Sequence, residues 1–193
     1  MQAFTAHDVR RILEEHFSSH IREVVHIEGF QRAAVLVPLT NEGAECVLLF
    51  TRRTETVETH KGQISFPGGV VDGADRDVVE TALRETHEEV GILPDSVQTL
   101  GLLDDILTPA GFVITPVVGF LADPPNLNPS EHEVAEAFTV PLSFFANPAN
   151  GRTEYREFRG KRNEVWFYDT GKHMIWGATA RIVRLLMERL GMG

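Results

Sequence analysis

Three glutamates with helical spacing are the most chemically suggestive feature of this 193-residue chain. Glu85, Glu88 and Glu89 fall at i, i+3 and i+4 in Arg84-Glu85-Thr86-His87-Glu88-Glu89-Val90-Gly91-Ile92. On a helix turning about 100° per residue, Val79, Ala82, Leu83, Thr86 and Val90 form one mainly apolar face and the glutamates share the adjacent one. Like charges so placed repel by about 0.2–0.5 kcal/mol per pair. The plain alternative is a solvated acidic face relieved by Arg84. Just upstream, however, the turn Phe66-Pro67-Gly68-Gly69 lets backbone approach a ligand closely. Clustered carboxylates without a thiol suit hard, oxygen-seeking cations such as Mg²⁺ or Mn²⁺. A cation there removes the repulsion and supplies positive charge, so the helix reads as a metal platform for a phosphate substrate.

Residues 69–92 resemble the Nudix box, the signature of hydrolases that cleave nucleoside diphosphates linked to another moiety. The second half matches through Arg84, Glu85, Glu88, Glu89, Gly91 and Ile92, with Thr86 where an apolar residue is usual. The first half departs: Asp75 stands where glutamate is expected, and eight residues rather than seven separate it from Arg84. Upstream, Leu48-Leu49-Phe50-Thr51-Arg52-Arg53 and His60-Lys61-Gly62-Gln63-Ile64-Ser65-Phe66-Pro67-Gly68-Gly69 are similar to the extended motif of the coenzyme A pyrophosphatase branch. Residues 175–182, Ile-Trp-Gly-Ala-Thr-Ala-Arg-Ile, resemble a segment common there.

The resemblance implies an α/β fold of α/β/α sandwich type with a mixed β-sheet. It also implies divalent-metal-dependent hydrolysis of a pyrophosphate bond in coenzyme A or its derivatives. Glu85, Glu88, Glu89 and the Gly69 carbonyl become expected metal ligands, with Glu89 the principal one and Glu85 close to the attacking water. The general base stays open between Glu85 and a loop glutamate, Glu133 or Glu136, with Glu131 behind them. Arg84 is expected to pair with a carboxylate and fix its rotamer. Arg52, Arg53, His60 and Lys61 are candidate phosphate binders, and Gln63 either contacts substrate or caps a turn. The alternatives are the same chemistry on ADP-ribose, a dinucleotide or a nucleoside triphosphate, and a nucleotide-binding module without catalysis.

The elements that must position these residues follow from periodicity. An amphipathic helix is expected over about 5–17, capped by Thr5 and Asp8; others are expected over about 77–90, capped by Asp75 or Asp77, and about 176–190. Strand-like runs occupy 33–38, 46–50, 97–102, 112–120, 138–140 and 164–168. Strands before, between and after helices suggest a mixed α/β layer structure in one domain spanning 1–193. The proline-bearing connection 121–130 is the longest loop and could border the site. Cys46, Trp176, Phe112, Phe120, Phe138, Phe144 and Phe145 are expected in the core, and His87 on the surface. His132 and His173 have no second ligand at zinc-like spacing.

Composition narrows the partners. A 42% apolar, 24% charged chain is globular in type, and a net charge of −10 argues against nucleic acid or an anionic membrane as a nonspecific partner. The single cysteine, Cys46, excludes an internal disulfide and fits a reducing compartment. With no membrane-length apolar run and no signal-like start, a cytoplasmic monomer or homodimer acting on a small nucleotide-type molecule is expected.

Overall fold

A computed structural model describes residues 4–55, 62–158 and 160–192 of the chain. His60 and Lys61 lie outside the described residues. The central strand, β1 (Gln31–Glu42), has apolar side chains on both faces. Ala34 and Leu36 pack against Ala82 of helix α2 (Val78–Val90). Val37 and Leu39 enter a larger core with Val9 and Leu13 of α1 (Ala6–Phe17). Between these helices and the end of the chain come α3 (Leu142–Ala146) and α4 (Gly177–Arg189). From α4, Ala180, Ile182, Val183 and Leu186 join the larger core. The sheet is thus sandwiched, with α2 on one face and α1 and α4 on the other, as expected of the fold.

Along its length β1 pairs in parallel with β7 (Phe112–Phe120), from Gln31 opposite Phe112 to Leu39 opposite Phe120. Its other edge is antiparallel, to β2 (Glu45–Arg53) over Leu39–Glu42 and to β4 (Gly68–Val70) over Ala33–Val35. β3 (Ile64–Ser65) and β8 (Val134–Pro141) pair with β2, while β5 (Gln98–Leu102) and β6 (Ile106–Leu107) pair with β7. This sheet is therefore mixed. A second, antiparallel sheet holds β9 (Gly151–Phe158), β10 (Lys161–Asp169) and β11 (Met174–Trp176).

Each expected strand overlaps an observed one, that over 97–102 starting one residue early, and the helix ends agree to a residue or two. Thr5 caps α1 by accepting from the Asp8 amide at 3.2 Å. Cys46 is buried, which pushes its thiol up to about 12. Three corrections concern aromatics and strands. Trp176 is not core: it lies on the exposed face of the second sheet, parallel to Phe167 at 6.1 Å and under Arg156. Phe120 and Phe145 are buried, but Phe112, Phe138 and Phe144 are only partly so. Strand β9 is unforeseen, because Arg152-Thr153-Glu154-Tyr155-Arg156-Glu157 is mostly polar and its outer face is open to water. Among the described residues, no helix is long and apolar enough to cross a membrane.

Candidate active site

Helix α2 begins where Asp77 accepts hydrogen bonds from the Val79 and Glu80 amides, both at 2.9 Å. It ends at Gly91, whose φ of 77° is left-handed and whose amide donates to the His87 carbonyl. Thr86, the polar residue on the apolar face, is fully buried and spends its hydroxyl on the Ala82 carbonyl at 2.6 Å. That leaves the face apolar in effect. His87 is exposed.

Asp77 is the cap, which frees Asp75 for a different task. Its carboxylate takes two hydrogen bonds from Arg84, Nε to Oδ1 and Nη2 to Oδ2, both at 3.0 Å, and another from the Thr81 hydroxyl at 2.8 Å. The Arg84 guanidinium holds Asp75 well below the usual carboxylate range. Arg84 also donates to Glu85 at 2.8 Å and approaches Glu88 at 3.3 Å. The irregular first half of the motif therefore supplies a forked clamp on the arginine that holds Glu85 and faces Glu88.

Two adjacent glycines admit the helix to the sheet. A Cβ on Gly68 would lie 2.3 Å from the Ala34 carbonyl oxygen and one on Gly69 2.4 Å from the carboxyl carbon of Glu85. The first glycine is required by backbone, the second by the site. Burial raises the Glu85 carboxyl, against the pull of Arg84, and Glu88 and Glu133 add to the rise. Glu89 is more extreme, at 3% exposed. Burial pushes it up to about 8, opposed by Arg53 and assisted by the negative charges of Glu133 and Glu85. Its Oε1 lies 3.4 Å from Arg53 Nη1, and its Oε2 is buried with no hydrogen-bond partner.

Glu133 reaches this site through the loop that follows β7. The amides of Asn128 and Ser130 donate to the Val90 and Glu89 carbonyls, both at 2.9 Å, satisfying the C-terminal turn of α2. Ser130 then anchors a turn that carries exposed Glu131, His132 and Glu133 into β8. Thr54 closes it, taking the Glu133 carbonyl with its amide and the His132 carbonyl with its hydroxyl.

The two arginines of β2 separate. Arg53 follows Leu49 onto the α2 face, where Val90 and Val134 pack; Arg52 follows Phe50 onto the opposite face. Regular pairing that runs from Val140 opposite Leu48 sets Glu136 opposite Arg52, on the face away from the box carboxylates, and a bulge at Ala135 then sets Val134 opposite Arg53. Glu136 is bound by Arg52 at 3.4 Å and by Lys172, with His173 Nε2 at 3.5 Å. The structure thus brings together Gly69, Glu85, Glu89, Glu133 and Arg53, leaves Glu88 outward on Arg84, and puts Arg52 with Glu136 elsewhere. Gln63 offers its backbone carbonyl to the Arg53 amide at 3.0 Å. Lys172 carries no motif that would single it out; only folding brings it to Arg52.

The donors fit a hard divalent cation. They are all oxygen, they repel one another, and the buried Glu89 Oε2 has no other partner. The fit rests on chemistry and charge: among the described residues, no three His, Cys, Asp or Glu side chains are already gathered as an ion would gather them.

Residues 30–159 match the family described as NUDIX domain, well over half the chain. The chain belongs to the Nudix family. The Nudix hydrolase NudL of Pectobacterium atrosepticum is 41% identical over 160 residues, covering 81% of each chain. That of Salmonella heidelberg is 36% identical over 191 residues, covering 95% of this chain and 98% of its own. In fold, the chain is similar to a MutT/nudix family protein from Enterococcus faecalis (TM-score 0.57, 16% identity, 98% of this chain and 76% of that one). It also resembles the NUDIX domain of Shewanella oneidensis NrtR, solved with ADP ribose (TM-score 0.55, 14% identity, 91% and 97%). Family membership and the Nudix hydrolase relatives support a pyrophosphohydrolase, and Nudix hydrolases generally need divalent metals such as Mg²⁺ or Mn²⁺.

Proposed function

We propose that this Nudix hydrolase cleaves the pyrophosphate bond of coenzyme A or its derivatives, giving 3′,5′-ADP and 4′-phosphopantetheine or its acylated form. The observation that carries the reading is the joining of the upstream segment to the box. Gln63 and Arg53 are bonded through their backbones, Gly68 and Gly69 pair with β1, and Glu85 and Glu89 lie behind them. This contact between residues 62–69 and the box supports reading the segment that resembles the coenzyme A branch as part of the same site.

Glu89, Glu85 and the Gly69 carbonyl would hold Mg²⁺ or Mn²⁺, with Glu88 joining by turning away from Arg84. A bound ion supplies charge neutralisation of the phosphoanhydride oxygens and acidification of water. The rest falls to the chain. Arg53 keeps Glu89 ionisable in a buried position, and Arg84, locked by Asp75, fixes the rotamer of Glu85. Glu133 is the base we assign: it is exposed, carried by a turn clamped at Thr54, and close enough to raise Glu89 and Glu85. It takes a proton from the water whose oxygen bonds to one phosphorus, while that phosphorus loses its bond to the bridging oxygen and the second phosphate leaves carrying that oxygen.

Chromatographic product analysis tests the reading. With Mg²⁺ or Mn²⁺ the protein should release 3′,5′-ADP from coenzyme A faster than it turns over ADP-ribose, NADH or a dinucleoside polyphosphate. Preference for ADP-ribose would retain the chemistry and overturn the substrate. Silence on all four with either metal would leave a nucleotide-binding module.

A further inference from the structure

The face of β2 turned away from the box carries a second charged cluster with no part in the chemistry above. Arg52, Lys172 and His173 converge on the single carboxylate of Glu136. Arg52 and Lys172 alone outnumber that carboxylate, so the cluster is cationic on a chain of net charge −10. These contacts, Lys172 first, hold Glu136 below the usual carboxylate range. The cluster is open to solvent on one side and firm on the other. The Lys172 side chain is 73% exposed and that of Arg52 35%, whereas that of His173 is only 9% exposed. The His173 ring is stacked on Phe138 at 4.0 Å, and its buried Nε2 has no hydrogen-bond partner.

A purely structural role explains this poorly. The turn bearing Lys172 and His173 is closed by its own bonds: Thr170 amide to His173 carbonyl at 2.9 Å, His173 amide to Thr170 hydroxyl at 3.0 Å, and Gly171 amide to Asp169 at 2.8 Å. An exposed lysine–carboxylate pair adds little to stability. What the cluster does have is position. Arg52 and Arg53 are consecutive at the end of β2, one facing Glu136 and the other Glu89, so the two clusters hang from neighbouring residues of one strand on its opposite faces.

We infer that Arg52, Lys172 and His173 form a second anion subsite, for a phosphomonoester on the ribose of the substrate, which Glu136 fills as an internal counter-anion when substrate is absent. The inference deepens the coenzyme A reading and rests on it for the identity of that phosphate. Arg52 supplies a planar donor fork, Lys172 a mobile point charge, and His173 a fixed ring nitrogen. Glu136 is then a specificity residue that must be displaced, which penalises ligands without the second phosphate.

The test is calorimetric binding of 3′,5′-ADP and 5′-AMP to the full chain, beside steady-state hydrolysis of coenzyme A and dephospho-coenzyme A. Wild type should bind 3′,5′-ADP about tenfold more tightly than 5′-AMP, one charge-assisted contact's worth. Lys172→Ala should bring that ratio towards one and raise the ratio of KM for coenzyme A to KM for dephospho-coenzyme A by a similar factor. Lys172→Glu should go further, and Glu136→Gln should strengthen 3′,5′-ADP binding. No preference in wild type, or a preference untouched by either Lys172 variant, overturns the subsite. So does loss of turnover on both substrates in Glu136→Gln, which would place that carboxylate in the chemistry. A preference for 3′,5′-ADP without hydrolysis of coenzyme A would sink the proposed substrate and leave the subsite standing.

Discussion

Glu89 and Glu136 stand on opposite faces of one sheet, each facing an arginine from the end of β2, and they differ in nearly everything else. Glu136 is held by three cationic or polar partners and sits below the ordinary carboxylate range. Glu89 has one distant arginine and the Gly68 amide, an unpartnered oxygen and a carboxyl pushed up to about 8. A buried carboxylate left short of positive charge is one that a cation would stabilise; one already surrounded by cations needs no further partner. Identical residue types therefore take different work according to how far their charge is compensated.

The largest expected effect comes from breaking the uncompensated side. Glu89→Gln keeps the volume and removes the ligand, so steady-state assays should show kcat falling by about a hundredfold or more, the scale of several kcal/mol of transition-state charge stabilisation. Near-normal turnover with intact metal dependence would remove Glu89 from its role. Asp75→Asn should cost about 10–100-fold in activity or metal affinity, because it loosens the arginine that orients Glu85. An Asp75→Asn enzyme with wild-type metal affinity and kcat would make the clamp ornamental.

Glu89 also makes a stability prediction. Its proton is bound more tightly in the folded than in the unfolded chain, where the group titrates near its ordinary value of 4.5. In the metal-free protein Glu89's own contribution to stability should accordingly be full below that value and be lost as pH rises from there through about 8, by on the order of a few kcal/mol. Denaturant unfolding across that window should show the fall in wild type and its loss in Glu89→Gln, and saturating Mg²⁺ should flatten it. A flat profile in the metal-free wild type would show that Glu89 ionises without strain.

The glycine pair gives a smaller, cleaner contrast. Gly68→Ala meets backbone and should lower Tm, whereas Gly69→Ala meets the movable end of Glu85 and should lower kcat at nearly unchanged Tm. Equal effects on Tm would erase the distinction.

Much of this was legible in the residues, for identifiable reasons. The box helix declares itself by apolar period and caps, and its glutamates by spacing, so Glu85 and Glu89 are found without coordinates. Asp75 is visible only as a departure; that it clamps Arg84 while Asp77 caps the helix depends on how the turn folds. Glu133 and Glu136 look equivalent in the chain, but β8 begins only at Val134, so Glu133 sits on the turn held by Thr54 while Glu136 is fixed opposite Arg52 by strand register. Arg52 and Arg53 read as one basic patch, yet strand geometry sends them to opposite faces. Trp176 looks like core by its bulk, and it is exposed because β11 lies in a second sheet with an open outer face. What sequence misses here is sidedness, and sidedness decides which charges remain uncompensated.

The most direct test of that claim is equilibrium binding of Mn²⁺ to the metal-free protein, measured in parallel for wild type, Glu89→Gln and Glu136→Gln. Wild type and Glu136→Gln should bind alike, and Glu89→Gln should lose the site. Retained binding in Glu89→Gln, or its loss in Glu136→Gln, would show that the cation belongs to the other face of the sheet.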